Sequence, residues 1–135
     1  MDIKVVFSVI KGPLAVGQMH IAGIAPIPIQ SGPWGNGHAP LGEYATGRLW
    51  SPDEIQLLPN GASYTKFDVG FFLLLIPKFK TTRSGIGIHP MRGNGTLGCC
   101  GIIGKDANYY KILYNKLSEL ISAINFSSSP FKVLI

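Results

Sequence analysis

Cysteine is nearly missing from this sequence: Cys99 and Cys100 are the two present, and they are neighbours. Adjacent cysteines cannot staple distant parts of a chain, and a disulfide between them is strained. There is no CxxC spacing, which argues against a structural zinc site. The three histidines add no ligand pattern, so neither a metal nor a cofactor is expected. Charge is also scarce. Asp, Glu, Lys and Arg make up 14% of the chain, against about 25% in ordinary domains. No run of Lys or Arg occurs, which argues against nucleic-acid binding. The strongest apolar run is FFLLLI at 71–76, whereas a membrane helix needs ~20 such residues, so no transmembrane segment is expected. The first residues, MDIKVVFSVIKGP, carry Asp2 and Lys4 and lack a signal-peptide core. No internal repeat is visible.

What remains fits one domain spanning 1–135. At 14.5 kDa and 46% hydrophobic residues the chain can build a core and is not disordered. The 17 glycines and 10 prolines punctuate short elements, which favours strands and turns over a helical bundle. The 12 basic and 7 acidic residues give a net charge of +5, a mild excess that suits an acidic polymer such as a bacterial cell wall.

Branched side chains predict a strand at 3–10 and a weaker one at 14–24. The prolines and glycines of 26–40, with Trp34 among them, read as a long irregular loop, a type that is often functional. Strands are expected at 43–50, at 70–77 (buried on both faces), at 85–89 and at 131–135. Residues 51–68 are polar and mixed, with Asn60-Gly61 as a turn signal. One helix is clear over 106–126, where Leu113, Leu117, Leu120, Ile121 and Ile124 recur at helical spacing. Asp106 is its expected N-cap, and 127–130 link it to the last strand. The sum is a mainly β fold with one major helix near the C-terminus.

The unusual chemistry lies in RSGIGIHPMRGNGTLGCCGI at 83–102, dense in glycine and holding His89 and both cysteines. Glycines let backbone approach a ligand closely. A cysteine among them, surrounded by backbone N–H groups, is how acyl-transfer sites place a nucleophile beside oxyanion donors. Its thiol needs a base, and His89 is the nearest in sequence. On spacing alone the bland reading also stands: a free cysteine is often a small buried hydrophobe, and a histidine before proline can simply end a strand. His20 and His38 read as solvent-facing or hydrogen-bonded histidines rather than ligands.

The segment His89…Gly95-Thr96-Leu97-Gly98-Cys99-Cys100-Gly101-Ile102 resembles the signature of the L,D-transpeptidase (YkuD-like) catalytic domain, a histidine on one strand followed by Ser/Thr-x-Gly-Cys. Asn36-Gly37-His38-Ala39-Pro40-Leu41-Gly42-Glu43-Tyr44 is similar to the family's upstream Pro-x-Gly turn, and the order of turn, histidine and cysteine agrees. Pro90, Leu97 and Gly101 stand where the family has other residues. In this the chain resembles a compact branch that includes cell-wall-targeting effectors and phage-borne proteins. The resemblance implies an L,D-transpeptidase-like β-sandwich or mixed sheet, with Cys99 as nucleophile, His89 as base and Cys100 packed in the core. It implies oxyanion or substrate contacts from Gly98 and Thr96, with Arg83 or Arg92 supplying positive charge for a substrate carboxylate. Tyr44 and Trp34, which flank the turn, are placed at a substrate groove or in ordinary packing. The implied partners are peptidoglycan stem peptides and an immunity protein. The implied location is the periplasm or cell envelope, reached without an obvious N-terminal signal. A non-catalytic wall-binding module and a general cysteine hydrolase are the alternatives.

Overall fold

The computed structural model describes residues 2–124 and 132–135. β1 (Asp2–Lys11) turns at Gly12 into β2 (Leu14–His20), and β3 (Ile27–Ser31) returns antiparallel to β2. β3 lies inside the stretch expected to be loop throughout. Ile27, Ile29 and Ser31 are fully buried, and Pro28 and Gln30 alternate with them. Pro28 cannot donate, but its carbonyl accepts the Ile103 N–H at 2.9 Å. The alternating burial outweighs one missing donor.

β4 (Glu43–Trp50) leads into α1 (Pro52–Gln56), a 3₁₀ turn (Gly61–Tyr64) and a small hairpin of β5 (Thr65–Lys66) and β6 (Val69–Gly70). Within the stretch read as polar and mixed, Ser51 and Glu54 cap α1 reciprocally. The hairpin turns on Phe67 (φ 50°) and Asp68 (φ 62°), both left-handed, as a tight two-residue hairpin turn requires. β7 (Phe72–Pro77), β8 (Gly87–Pro90), β9 (Cys100–Ile102), α2 (Ala107–Ile124) and β10 (Lys132–Leu134) complete the chain. The expected link at 127–130 and the end of the helix beyond 124 lie outside the described residues.

Eight strands close into a barrel in the order β1-β10-β4-β7-β8-β9-β3-β2. The mainly β expectation holds, and the sheet is mixed, closed on itself as a barrel. Two short strands close it: β10 joins β1 to β4, and β9 joins β8 to β3. Among the described residues these pairings leave the barrel itself no open edge. β1–β10 and β8–β9 are parallel.

The barrel interior holds Ile3, Ile27, Ile29, Leu73, Leu75 and Ile88, and α2 adds Tyr110, Leu113, Leu117 and Leu120 to the same core. Each such side chain contributes about 1.5–3 kcal/mol on burial. β7 is not buried on both faces as expected, because Ile76 on its outer side is 48% exposed. Asp106 caps α2, accepting the Tyr109 N–H at 2.8 Å. The Tyr110 hydroxyl donates to the Ile102 carbonyl (2.7 Å) and accepts the Gly104 N–H (2.8 Å), hooking the helix to the end of β9. Among the described residues no helix is long and apolar enough to cross a membrane.

Candidate active site

The parallel register sets Ile88 opposite Cys100 and His89 opposite Gly101. Aligned residues share a face, and the face alternates along a strand. Ile88 and Cys100 therefore point into the barrel, where both are fully buried. His89 points outward, and Cys99, just ahead of β9, lines the same cavity as His89. Burial pushes the Cys100 thiol up to about 12, helped by the neighbouring Cys99, so Cys100 is an inert core residue.

His89 is 5% exposed. Its ring stacks on Phe72 (centroids 5.9 Å apart, 16° between planes) and meets the edge of Tyr64 (5.0 Å, 66°). The Nδ1–H donates to the Pro90 carbonyl at 2.6 Å. A carbonyl can only accept, so this bond fixes the tautomer and leaves the lone pair on Nε2. Among the described residues every buried side-chain nitrogen or oxygen has a partner. Nε2 has none and so opens onto the cavity beside it. Burial draws the imidazole down to about 4, against the opposing effect of the Pro90 hydrogen bond. It is neutral at pH 7, and its burial disfavours the protonated form.

Cys99 is partly buried, and its thiol donates to the Gly85 carbonyl at 3.5 Å. Burial pushes the thiol up, while the Gly87 N–H and then the Arg83 charge pull it back. Among the described residues no hydrogen bond joins thiol to imidazole. The resting pair is neutral thiol and neutral imidazole, and such bonds often tighten only when substrate binds.

Thr96 builds the turn that presents Cys99. Its buried hydroxyl donates to the Cys99 carbonyl (2.6 Å) and accepts the N–H groups of Gly32 (3.0 Å) and Gly98 (3.3 Å). Gly98 has φ 130°, and a Cβ there would run into Nη2 of Arg83. Ser31, at the inward end of β3, donates to the Gly98 carbonyl (3.2 Å) and accepts the Ala39 N–H (2.8 Å). Thr96 and Gly98 both line the cavity, the Thr96 hydroxyl spending its hydrogen bonds on backbone and the Gly98 N–H bonding to that hydroxyl. The Cys99 N–H has no partner among the described residues. Sequence reading missed Ser31, whose only signal is a hydroxyl in the buried register of Ile27 and Ile29.

A cavity of about 810 Å³ opens over this face, lined by Cys99, His89, Arg83, Arg92, Tyr64 and Trp34 among others. Among the described residues its wall has no Asp or Glu. Arg83 is held rigidly, donating to the carbonyls of Asn36 (3.3 Å), Gly37 (3.0 Å) and His38 (3.2 Å). Arg92 is exposed, with Lys66 Nζ 3.4 Å from its carbonyl. Tyr44 does not line a groove. It is fully buried, edge-on to Phe79, with its hydroxyl on the Pro40 carbonyl at 2.5 Å. Tyr64, unsignalled in a polar stretch, takes the place at the cavity that Tyr44 was expected to fill. His38 hydrogen-bonds the Ala39 carbonyl (2.8 Å) and meets Phe7 edge-on, outside the cavity wall. Among the described residues no group of three His, Cys, Asp or Glu side chains can hold a metal ion. Comparison with protein-family models, with curated proteins and with solved structures returns no match.

Proposed function

We propose that the chain is a cysteine-dependent acyltransferase or peptidase acting on peptidoglycan stem peptides, of the L,D-transpeptidase or L,D-carboxypeptidase kind. The observation that carries this reading is the cavity that Cys99 and His89 both line, whose fixed charges are the two arginines. Nε2 of His89 takes the thiol proton while Sγ bonds to the peptide carbonyl carbon. The displaced electron pair goes to the carbonyl oxygen, held by the Cys99 N–H. Losing one such donor typically costs ~3 kcal/mol in the barrier. The C–N bond then breaks, and the leaving amine takes the proton from His89. A second amine or a water attacks the thioester and returns the thiol. Arg83 and Arg92 receive a substrate carboxylate, Arg83 from a fixed position.

The L,D-transpeptidase-like architecture belongs to the same proposal, resting on the order of turn, histidine and cysteine. So does the place of action, the bacterial periplasm or envelope where peptidoglycan lies. An effector acting there would need an immunity protein in the producing cell. The test is incubation with purified muropeptides and mass spectrometry of the products. Loss or exchange of the C-terminal residue, absent in Cys99→Ala and His89→Ala, is expected; muropeptides left intact by the wild type would end the proposal.

One observation favours a second reading. The thiol is bonded to Gly85 rather than to His89 and is pushed up by burial, which suits a wall-binding module without chemistry. A thiol-reactive probe at neutral pH separates the two. Labelling of Cys99 that slows in His89→Ala fits the enzyme, and an inert thiol with retained binding to sacculi fits the module.

A further inference from the structure

Trp34 is 55% exposed at the mouth of the cavity. An indole left in water usually sits on a mobile loop, but this one does not. The backbone N–H of Trp34 donates to the Thr96 carbonyl (3.1 Å), and the Trp34 carbonyl accepts the Gly37 N–H (3.1 Å). The ring packs close over Gly95, where a Cβ would lie 2.8 Å from the indole nitrogen. Leu97, 75% exposed, stands beside Gly35, with its Cβ and Cδ2 3.4 Å from where a Gly35 Cβ would be. The backbone of Trp34 is thus pinned to the Thr96 turn that presents Cys99, and the ring is left facing solvent.

The surroundings say what such a ring can take. Beside the two arginines, the lining of the same cavity holds neutral hydrogen-bonding side chains, Asn36, Asn60 and Ser63. An apolar amino-acid side chain would call for an enclosed greasy pocket. A pyranose has a C–H face that lies flat on an aromatic ring and equatorial hydroxyls and amides that reach neutral polar groups at its edge. Trp, with an apolar body and a polar tip, suits a wet, half-apolar contact of this kind. We propose that Trp34, with Leu97 and the Asn36 amide, forms a subsite for an N-acetylated sugar ring, so that the site takes stem peptides still joined to their glycan. This rests on the acyl-transfer reading for its consequence in turnover, but not for the binding itself.

Two measurements test it on the full chain. In the first, a β-1,4-linked N-acetylglucosamine tetramer is titrated into ¹⁵N-labelled Cys99→Ala protein. The indole N–H resonance of Trp34 is expected to shift on saturable binding. Trp34→Phe is expected to keep most of the affinity by calorimetry, and Trp34→Leu to lose tenfold or more. No binding, or equal affinity in Phe and Leu variants, overturns the proposal. In the second, wild-type KM is compared for a disaccharide-peptide and the same peptide without sugar. A KM about tenfold lower for the glycopeptide, with the ratio narrowed in Trp34→Leu, is expected, and equal KM values count against the subsite. If neither peptide is turned over while the tetramer still binds through Trp34, the acyl-transfer reading fails and the sugar subsite stands.

Discussion

Cys99 and His89 line one cavity: His89 stands on β8 opposite Gly101, and Cys99 lies two residues before Gly101, just ahead of β9. The β8–β9 ladder sends Cys100 inward beside Ile88. Two adjacent cysteines are thereby given opposite environments by geometry alone. Cys99→Ala is expected to abolish turnover with stability nearly unchanged. Cys100→Ala is expected to keep activity and cost about 1–2 kcal/mol, the usual range for removing one small buried group. Cys100→Ser costs more, because its hydroxyl would be buried without a partner. Turnover of muropeptides and urea midpoints check both. An active Cys99→Ala with a dead Cys100→Ala would reverse the assignment.

The two titrating groups fix the expected pH behaviour. His89 falls from an ordinary 6.5 to about 4 on folding, so the unfolded chain binds more protons between those values. Stability is therefore full above pH 6.5 and is lost as pH falls towards 4. The difference corresponds to about 3 kcal/mol. His89→Asn should show a flatter curve over that window. In activity, the acid limb belongs to the free base and is expected near pH 4 rather than 6.5. The Cys99 thiol is pushed up, so alkylation should keep rising with pH through the weakly alkaline range. Urea titrations from pH 7 to 4 and the pH profile of kcat/KM are the measurements. A thiol already saturated in reactivity at pH 6 would contradict the neutral pair.

Most strands and the main helix were legible because period and composition agree in them: Leu113, Leu117 and Leu120 at helical spacing, and Ile86 and Ile88 at strand spacing. β3 was hidden by Pro28, since a proline marks a lost donor in sequence but not the carbonyl that still joins the ladder. Barrel closure was not legible at all. It depends on β9 and β10, each three residues long, pairing with strands far away in the chain. At the site, Cys99, His89 and Arg83 carry a chemical signal of their own and were singled out. Thr96 and Gly98 were singled out too and line the cavity, but the hydrogen bonds that hold them were not legible, because only folded geometry shows which are made. Tyr64 and Ser31 carry no local pattern and matter only through what the fold brings against them.

Gly98 links the nucleophile to the fixed arginine. Its φ of 130° disfavours any side chain, and a Cβ would collide with an Arg83 guanidinium that three carbonyls hold in place. Gly98→Ala is expected to cost about 1–3 kcal/mol in stability and to displace Arg83, raising KM for substrates with a free carboxylate more than for C-terminal amides. Gly93, with nothing within 4 Å of an added Cβ, is the control: Gly93→Ala should leave the urea midpoint in place. Equal effects of Gly98→Ala on carboxylate and amide substrates would show that Arg83 does not read the carboxylate.

Thr96 separates shaping from contact. Its hydroxyl makes three hydrogen bonds to backbone, one of them to the residue that carries the thiol. Thr96→Val keeps the volume but strands the Gly32 N–H and the Cys99 carbonyl, each orphan costing about 1–3 kcal/mol. Thr96→Ser keeps the oxygen and should recover most of the stability and turnover. The turn would loosen in Thr96→Val and Cys99 would lose its hold through the carbonyl, so on the acyl-transfer proposal kcat is expected to fall by tenfold or more while KM changes little. A residue that touched substrate would instead move KM first. Steady-state kinetics of the Val and Ser variants, beside their urea midpoints, decide between the two: a rise in KM alone would show that Thr96 touches substrate.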